Sequence, residues 1–219
     1  MSKKLLSVLG VAVILAALAS SAFAMDLEFG AKGGLNLGSM WGSDKDSLGT
    51  DTSMRTGFLG GAFLGAAVNE SFGARLELLY AQRGQKTTVD MGPLGSEEFT
   101  LKLDYVEVAL YGVGMVPVNE TVDVHVFAGP YVGFLNTAEV ANGTTEDIKD
   151  FIKSMDFGIG VGAGLGFAAS DMFKIIIEGQ YNIGLMSVDD TENELTIKNQ
   201  GIGFTAGVAV PLSSNGGGM

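Results

Sequence analysis

From Met155 to Phe167 the chain alternates between a bulky apolar side chain and almost nothing. Met155, Phe157, Ile159, Val161, Ala163, Leu165 and Phe167 share one parity. Asp156, Gly158, Gly160, Gly162, Gly164 and Gly166 share the other. A period of two belongs to a β-strand, whose successive side chains point to opposite faces. The segment therefore reads as a strand with one greasy face and one nearly bare face. The GxG spacing invites a dinucleotide-loop reading, but no strand–turn–helix context follows, so that reading is rejected.

The same periodicity recurs along the chain. It predicts strands over 27–38, 56–68, 72–86, 100–116, 122–136, 155–168, 173–187 and 197–210. In 173–187, Phe173, Ile175, Ile177, Tyr181, Ile183 and Leu185 oppose Lys174, Glu178, Gln180 and Asn182. In 72–86, Phe72, Ala74, Leu76, Leu78 and Tyr80 oppose Arg75, Glu77 and Arg83. In 122–136, Val122, Val124, Val126, Ala128, Val132 and Phe134 oppose Asp123, His125 and Tyr131. The segment 56–68 alternates weakly, with Leu59 and Phe63 on one face and Phe58, Leu64 and Val68 on the other.

Connection lengths carry a second signal. The turns at 69–71, 117–121 and 169–172 are short, whereas 39–55, 87–99, 137–154 and 188–196 are long. Both chain ends fall on the short side. Tight turns at one end and long loops at the other are the pattern of an outer-membrane barrel, and a soluble sandwich has no reason to sort its loops this way.

The amino terminus agrees with export. Lys3 and Lys4 precede an apolar run from Leu5 to Leu18, and Ala22-Phe23-Ala24 fits a signal-peptidase site. The expected organisation is a signal peptide at 1–24, a barrel at 25–212 and a flexible tail at 213–219. An uncleaved membrane anchor is the alternative, though the apolar run is short for a spanning helix. No later stretch is long and apolar enough for a helical span. Hydrophobic residues nevertheless make up 47% of the chain, too many for a glycine-rich linker. Only helices and closed barrels satisfy every backbone group within lipid. The fold class expected is all-β: an eight-stranded antiparallel up-and-down transmembrane β-barrel.

The greasy face can point outward to lipid or inward in a soluble barrel. Eight strands enclose only enough room for side chains to fill. Large polar groups packed against the bare 158–166 wall use that room, which leaves the aliphatic face for lipid. Aromatics support this orientation. Phe72, Phe167 and Phe173 lie beside the short turns, while Phe58, Tyr80, Phe134 and Phe157 lie near the long loops. The interval from Phe157 to Phe167 spans roughly 25 Å of height at a tilt of ~40°, the height of an apolar band between two aromatic girdles.

Several motifs resemble the outer membrane protein β-barrel domain family, the small porin-family barrels. They are Gly30-Ala31-Lys32-Gly33-Gly34-Leu35-Asn36-Leu37 and Leu76-Glu77-Leu78-Leu79-Tyr80-Ala81-Gln82-Arg83-Gly84. Leu103-Asp104-Tyr105-Val106-Glu107-Val108 and Phe127-Ala128-Gly129-Pro130-Tyr131-Val132-Gly133 continue the likeness, which covers 27–210. The resemblance implies the bacterial outer membrane, with lipid, lipopolysaccharide and the barrel-insertion machinery as partners. It implies no substrate. Such barrels usually end on a terminal aromatic, whereas this chain ends its last strand at Val210-Pro211-Leu212, with Phe204 the nearest aromatic.

The inward parity collects a mixed set of charges. Glu28, Lys32, Arg75, Glu77, Arg83, Glu107, Asp123, His125, Asp156 and Glu178 form the candidate lumen network, accompanied by Asn36, Tyr105, Tyr111, Tyr131, Gln180 and Asn182. Buried charges persist when paired and hydrogen-bonded. The network is either a packed plug or a narrow polar path, and the sequence does not pair its members. His125 is the single histidine, with Asp123 two residues away on the same face. A hydrolase would need a nucleophile beside that imidazole. No serine lies in the same stretch, so no catalytic residue is expected.

Other chemistry is excluded more simply. The chain has no cysteine, so it offers neither thiolate catalysis nor a disulfide framework. One histidine rules out a histidine-rich metal site. The formal net charge of −12 leaves no basic footprint for nucleic acid. Asp189, Asp190, Glu192 and Glu194 make an acidic loop without calcium-loop spacing, read as a solvated charge run. Thr145 to Ile152 has a threonine start, early acids and an apolar stripe, which predicts one or two helical turns on the barrel rim. The reading is a non-enzymatic outer-membrane barrel without cofactors, structural or recognising an external ligand through its loops. A narrow porin or transporter for small solutes is the alternative.

Overall fold

The computed structural model describes residues 26–44, 51–170, 172–191 and 195–212. The expected signal peptide and tail lie outside the described residues. Nine strands form among the described residues: β1 (Asp26–Trp41), β2 (Asp51–Ala67), β3 (Phe72–Asp90), β4 (Ser96–Pro117), β5 (Val122–Asn142), β6 (Thr144–Asp147), β7 (Met155–Ser170), β8 (Phe173–Gly184) and β9 (Lys198–Pro211). Eight of them close a ring in the order β1-β2-β3-β4-β5-β7-β8-β9, and β6 is a short addition beside β5. Every pairing is antiparallel, and β1 meets β9 from Glu28↔Pro211 to Trp41↔Lys198. Each of the eight ring strands is paired on both sides, the condition for a sheet in lipid.

Side chains sort by parity as the alternation predicts. Leu35, Leu64, Leu78, Val126, Val161 and Ile177 are exposed on the outer wall. Leu59 and Phe63 of β2 are buried, which settles the weakest strand. Phe72, Phe173, Phe58, Phe134 and Phe157 stand on the outer surface near its two rims.

Two short turns share a Val-Asn-Glu start and one geometry. In Val68-Asn69-Glu70-Ser71 the Asn69 Oδ1 accepts from the amides of Ser71 and Phe72 at 2.9 Å. In Val118-Asn119-Glu120-Thr121 the Asn119 Oδ1 accepts from Thr121 and Val122 at 2.8 Å. An asparagine side chain that bonds two residues ahead mimics a backbone turn, and that closes both hairpins tightly.

The opposite end differs from expectation. The segments 87–99 and 137–154 are mostly strand rather than loop. β3 and β4 stay paired to Asp90↔Ser96, and a 3-10 turn at Gly92–Leu94 closes them. β5 reaches Asn142 and folds back through Gly143, at φ 65°, into β6. The predicted helix over 145–152 is one 3-10 turn, Lys149–Phe151. Continuing a ladder satisfies a backbone donor or acceptor at each residue, which an isolated helical turn does not. The exposed Lys86–Glu98 pair, at 2.9 Å, ties the extended hairpin across its strands.

One irregularity interrupts the wall. The β2–β3 register shifts between Met54 and Leu59, where Gly84 takes φ 115°. There β1 reaches past β2, and Asn36 Nδ2 donates to the Gln82 carbonyl oxygen at 2.8 Å. A side chain at Gly84 would be strained in that conformation and would strike the Leu101 carbonyl oxygen.

Candidate functional site

The barrel interior is built in layers from the short-turn end to the long-loop end. Each layer follows from parity, because residues two apart on one strand stack along the lumen.

At the short-turn mouth, Glu28, Arg75, Asp123, His125 and Lys174 line a vestibule of about 200 Å³. Lys174 Nζ lies 3.2 Å from Asp123 Oδ2, and Asp123 Oδ1 lies 3.3 Å from His125 Nδ1. Glu28 stands partly exposed at this mouth, against the bare Cα of Gly65.

The next layer crosses the bore. Lys32 Nζ sits 2.7 Å from Glu77 Oε1 and 2.8 Å from Glu178 Oε2, and all three side chains are 0% exposed. Arg75 reaches the same two acids, through Nη1 to Glu178 Oε1 at 2.5 Å and Nε to Glu77 Oε1 at 2.8 Å. Two cations and two carboxylates thus balance within one layer. His125 Nε2 approaches Glu178 Oε1 at 2.9 Å, so both ring nitrogens face carboxylates. Phe127 completes the packing, with the Arg75 guanidinium 4.5 Å and the Lys32 ammonium 5.6 Å from its ring centre. Such contacts add a modest electrostatic attraction to the ion pairs.

Above it lies a second cluster. Arg83 Nη2 is 2.6 Å from Glu107 Oε1, and Nη1 donates to the Tyr131 hydroxyl at 2.9 Å. Asp156 accepts from Asn199 Nδ2 at 3.1 Å and from Tyr131 at 3.3 Å. Asn199 also donates to the Tyr105 hydroxyl at 3.1 Å. Met40, Leu103, Tyr105, Leu135, Ala138, Val188 and Ile197 then form an apolar layer toward the long-loop end.

The glycine wall of β7 makes room for these layers. A Cβ on Gly158 would meet the Tyr131 ring at 2.5 Å, one on Gly160 the Tyr111 hydroxyl at 2.5 Å, and one on Gly166 the Asp123 carboxylate at 2.5 Å. Large side chains from β4 and β5 therefore lie flat on a surface without side chains.

The structure brings Lys32, Arg75, Glu77 and Glu178 together, with His125 and Asp123 below. Arg83, Glu107 and Asp156 form the separate upper cluster, and Glu28 stays at the mouth. Sequence reasoning missed Asn199 and the pairing of Lys174 with Asp123. It also missed Arg55, whose Nη1 lies 3.1 Å from Asp104 Oδ1 and also donates to the Arg83 carbonyl oxygen. Asp104 further accepts from Tyr80 at 2.8 Å and Gln82 at 3.3 Å. An acid on the outer parity, beside a tyrosine and a glutamine on the next strand, was the available signal for that cluster.

The outer membrane protein beta-barrel domain family matches residues 19–190. β9 lies beyond that match and closes the ring nonetheless. No curated protein matches the chain. Among solved structures, the chain is similar to the attachment invasion locus protein Ail of Yersinia pestis, at 18% identity and TM-score 0.44, covering 84% of this chain and 99% of that one. It is similar to Neisserial surface protein A at 14% identity and TM-score 0.46, covering 83% and 96%. It is also similar to OprG of Pseudomonas aeruginosa at 10% identity and TM-score 0.48, covering 85% and 96%. With an eight-stranded ring, a lipid-facing aliphatic wall and a family match over most of its length, the chain belongs to the outer membrane protein beta-barrel domain family and resides in the bacterial outer membrane.

Proposed function

We propose that the protein is a non-enzymatic barrel whose lumen is closed by its own side chains and whose long-loop end carries out recognition. The observation behind this reading is the complete burial of Lys32 between Glu77 and Glu178. Removing one partner from a buried ion pair typically costs about 3–5 kcal/mol, so such a layer does not open readily to passing ions. His125 is not free to serve as a base, because both its ring nitrogens face carboxylates. A nucleophile would need one of them free.

On this reading 1–24 directs export and 25–212 is the barrel domain. Lipid and lipopolysaccharide surround the wall, and insertion machinery delivers the barrel. External ligands meet the extended hairpins. Single-channel recording in planar bilayers tests the closed lumen. The expected result is a flat trace. Resolved conductance steps that vanish on blocking the Lys32 layer would replace this reading with that of a narrow porin.

A further inference from the structure

The long-loop end holds a cavity of about 400 Å³ that the lumen plug does not use. Its lining is mainly apolar and includes Met40, Leu101, Val140, Ile148, Ile152 and Ile197. Its volume falls in the range of ligand pockets, about 300–1,000 Å³. The buried Leu103–Tyr105 layer lies between it and the ionic clusters.

The cavity is framed by backbone hydrogen bonds between loops. The amide of Lys153 donates to the Val188 carbonyl oxygen at 2.8 Å, and Asp190 donates to Phe151 at 3.0 Å. Ile148 donates to Ala138 at 3.0 Å, and Val188 to Ile197 at 2.7 Å. A site tied this way is formed before a ligand arrives, which lowers the ordering cost of binding.

Two polar groups define what fits. Gln85 lines the cavity and is 3% exposed, yet its Nε2 has no acceptor among the described residues. A buried donor without an acceptor is costly, so a ligand that brings an acceptor is favoured. Asp189 also lines the cavity, with Oδ2 accepting from the Leu195 amide and the Thr191 hydroxyl, each at 2.9 Å. A carboxylate at the wall disfavours an anionic head group by like-charge repulsion. We infer that this cavity binds a neutral, mainly apolar molecule carrying one carbonyl, such as a medium-chain ketone, ester or amide, whose oxygen accepts from Gln85 Nε2.

The inference rests on the recognition reading in placing the site at the external end, but it does not require a closed lumen. The test uses the full barrel in lipid nanodiscs, with isoleucine methyl groups observed by NMR. The probes are 2-undecanone, undecane and undecanoate. They share a chain and differ in the head. Saturable shifts at Ile148, Ile152 and Ile197 with 2-undecanone, at least tenfold weaker binding of undecane and none of undecanoate are expected. Gln85→Leu should weaken 2-undecanone about tenfold and leave undecane unchanged. Val140→Trp, which fills the cavity, should abolish both. Equal binding of ketone and alkane, or an unaltered Gln85→Leu variant, overturns the inference, as does an absence of saturable shifts in the wild-type barrel. Conductance steps alongside intact ketone binding would remove the closed-lumen reading and leave this one standing.

Discussion

A Cβ placed on Gly164 of β7 would lie 2.6 Å from Nε2 of His125 and 2.8 Å from Cγ of Glu178. The glycine thus holds the space in which the imidazole meets the acid, at 2.9 Å. Gly164→Ala should push His125 off Glu178 and destabilise the barrel by about 1–3 kcal/mol, the usual cost of overpacking. Ala163→Leu, on the lipid side of the same strand, should change little. Urea unfolding from detergent micelles measures both. A neutral Gly164→Ala would show that this wall does not limit the lumen packing.

Lys32 is the counter-charge shared by Glu77 and Glu178, so its removal affects both acids. Lys32→Met keeps the length and leaves Arg75 facing two carboxylates. The variant should lose about 3–5 kcal/mol of stability, because a buried charge without its partner cannot recover its hydration. Adding Glu77→Leu should recover part of that loss. A double-mutant cycle with no coupling between positions 32 and 77 would contradict the observed contact.

What the sequence made legible follows from parity. Lys32, Arg75, Glu77 and Glu178 read as inward charges because their strands alternate clearly. Their partnership was not legible. Lys32 lies on β1 and Glu178 on β8, and which residues share a layer depends on the stagger of the whole ring. Arg55 was missed because it sat at the edge of an expected loop, and Asp104 because its parity points outward. Phe127 and Ile176 are buried in the lumen beside its charged groups. Ile176 shares the inward parity of Lys174 and Glu178, but an apolar side chain there carries no sign of a polar lumen. The external cavity depends on hairpins that extend beyond the expected strand ends, into segments whose polar composition resembles loop.

The Asp44 carboxylate fastens the chain after β1 to the segment that leads into β9. Its Oδ2 accepts from the Thr196 amide and the Ser43 hydroxyl, each at 2.9 Å. These donors, the Thr196 amide foremost, hold its pKa below the ordinary 3.8. A depressed acid contributes stability above its unfolded pKa and loses it as the pH falls through the folded value. The latch should therefore persist at neutral pH and release only below the ordinary carboxylate range, about pH 4. The Thr196 amide shift should titrate there, and Asp44→Asn should abolish that titration. A midpoint above the ordinary range would refute the latch.

The long hairpins and the short asparagine turns face opposite sides of the membrane. Epitope tags inserted near Pro93, Gly143 or Thr191 should be labelled on intact cells, and one near Asn119 should not. Insertions at the exposed tips are tolerated because few core hydrogen bonds run through them. The reverse labelling pattern would invert the topology.

The two parities of β7 offer the most direct test of the barrel's inside and outside. Val161 is 45% exposed on the outer wall, while a Cβ on Gly160 would meet the Tyr111 hydroxyl at 2.5 Å and Asn182 Oδ1 at 2.6 Å. Val161→Arg sets a charge near the bilayer midplane, at a cost of about 2–4 kcal/mol in such barrels. Gly160→Trp overfills the lumen, and overpacking typically costs about 1–3 kcal/mol. Stability alone does not separate the two positions, since both substitutions destabilise. Chemical access does. The chain has no cysteine, so a single one can be introduced at either position without background. Val161→Cys should react with a lipid-phase maleimide and Gly160→Cys should not. Reaction at 160 instead would turn the strand around. Protection of both, in a protein recovered from the soluble fraction, would place the aliphatic face inside.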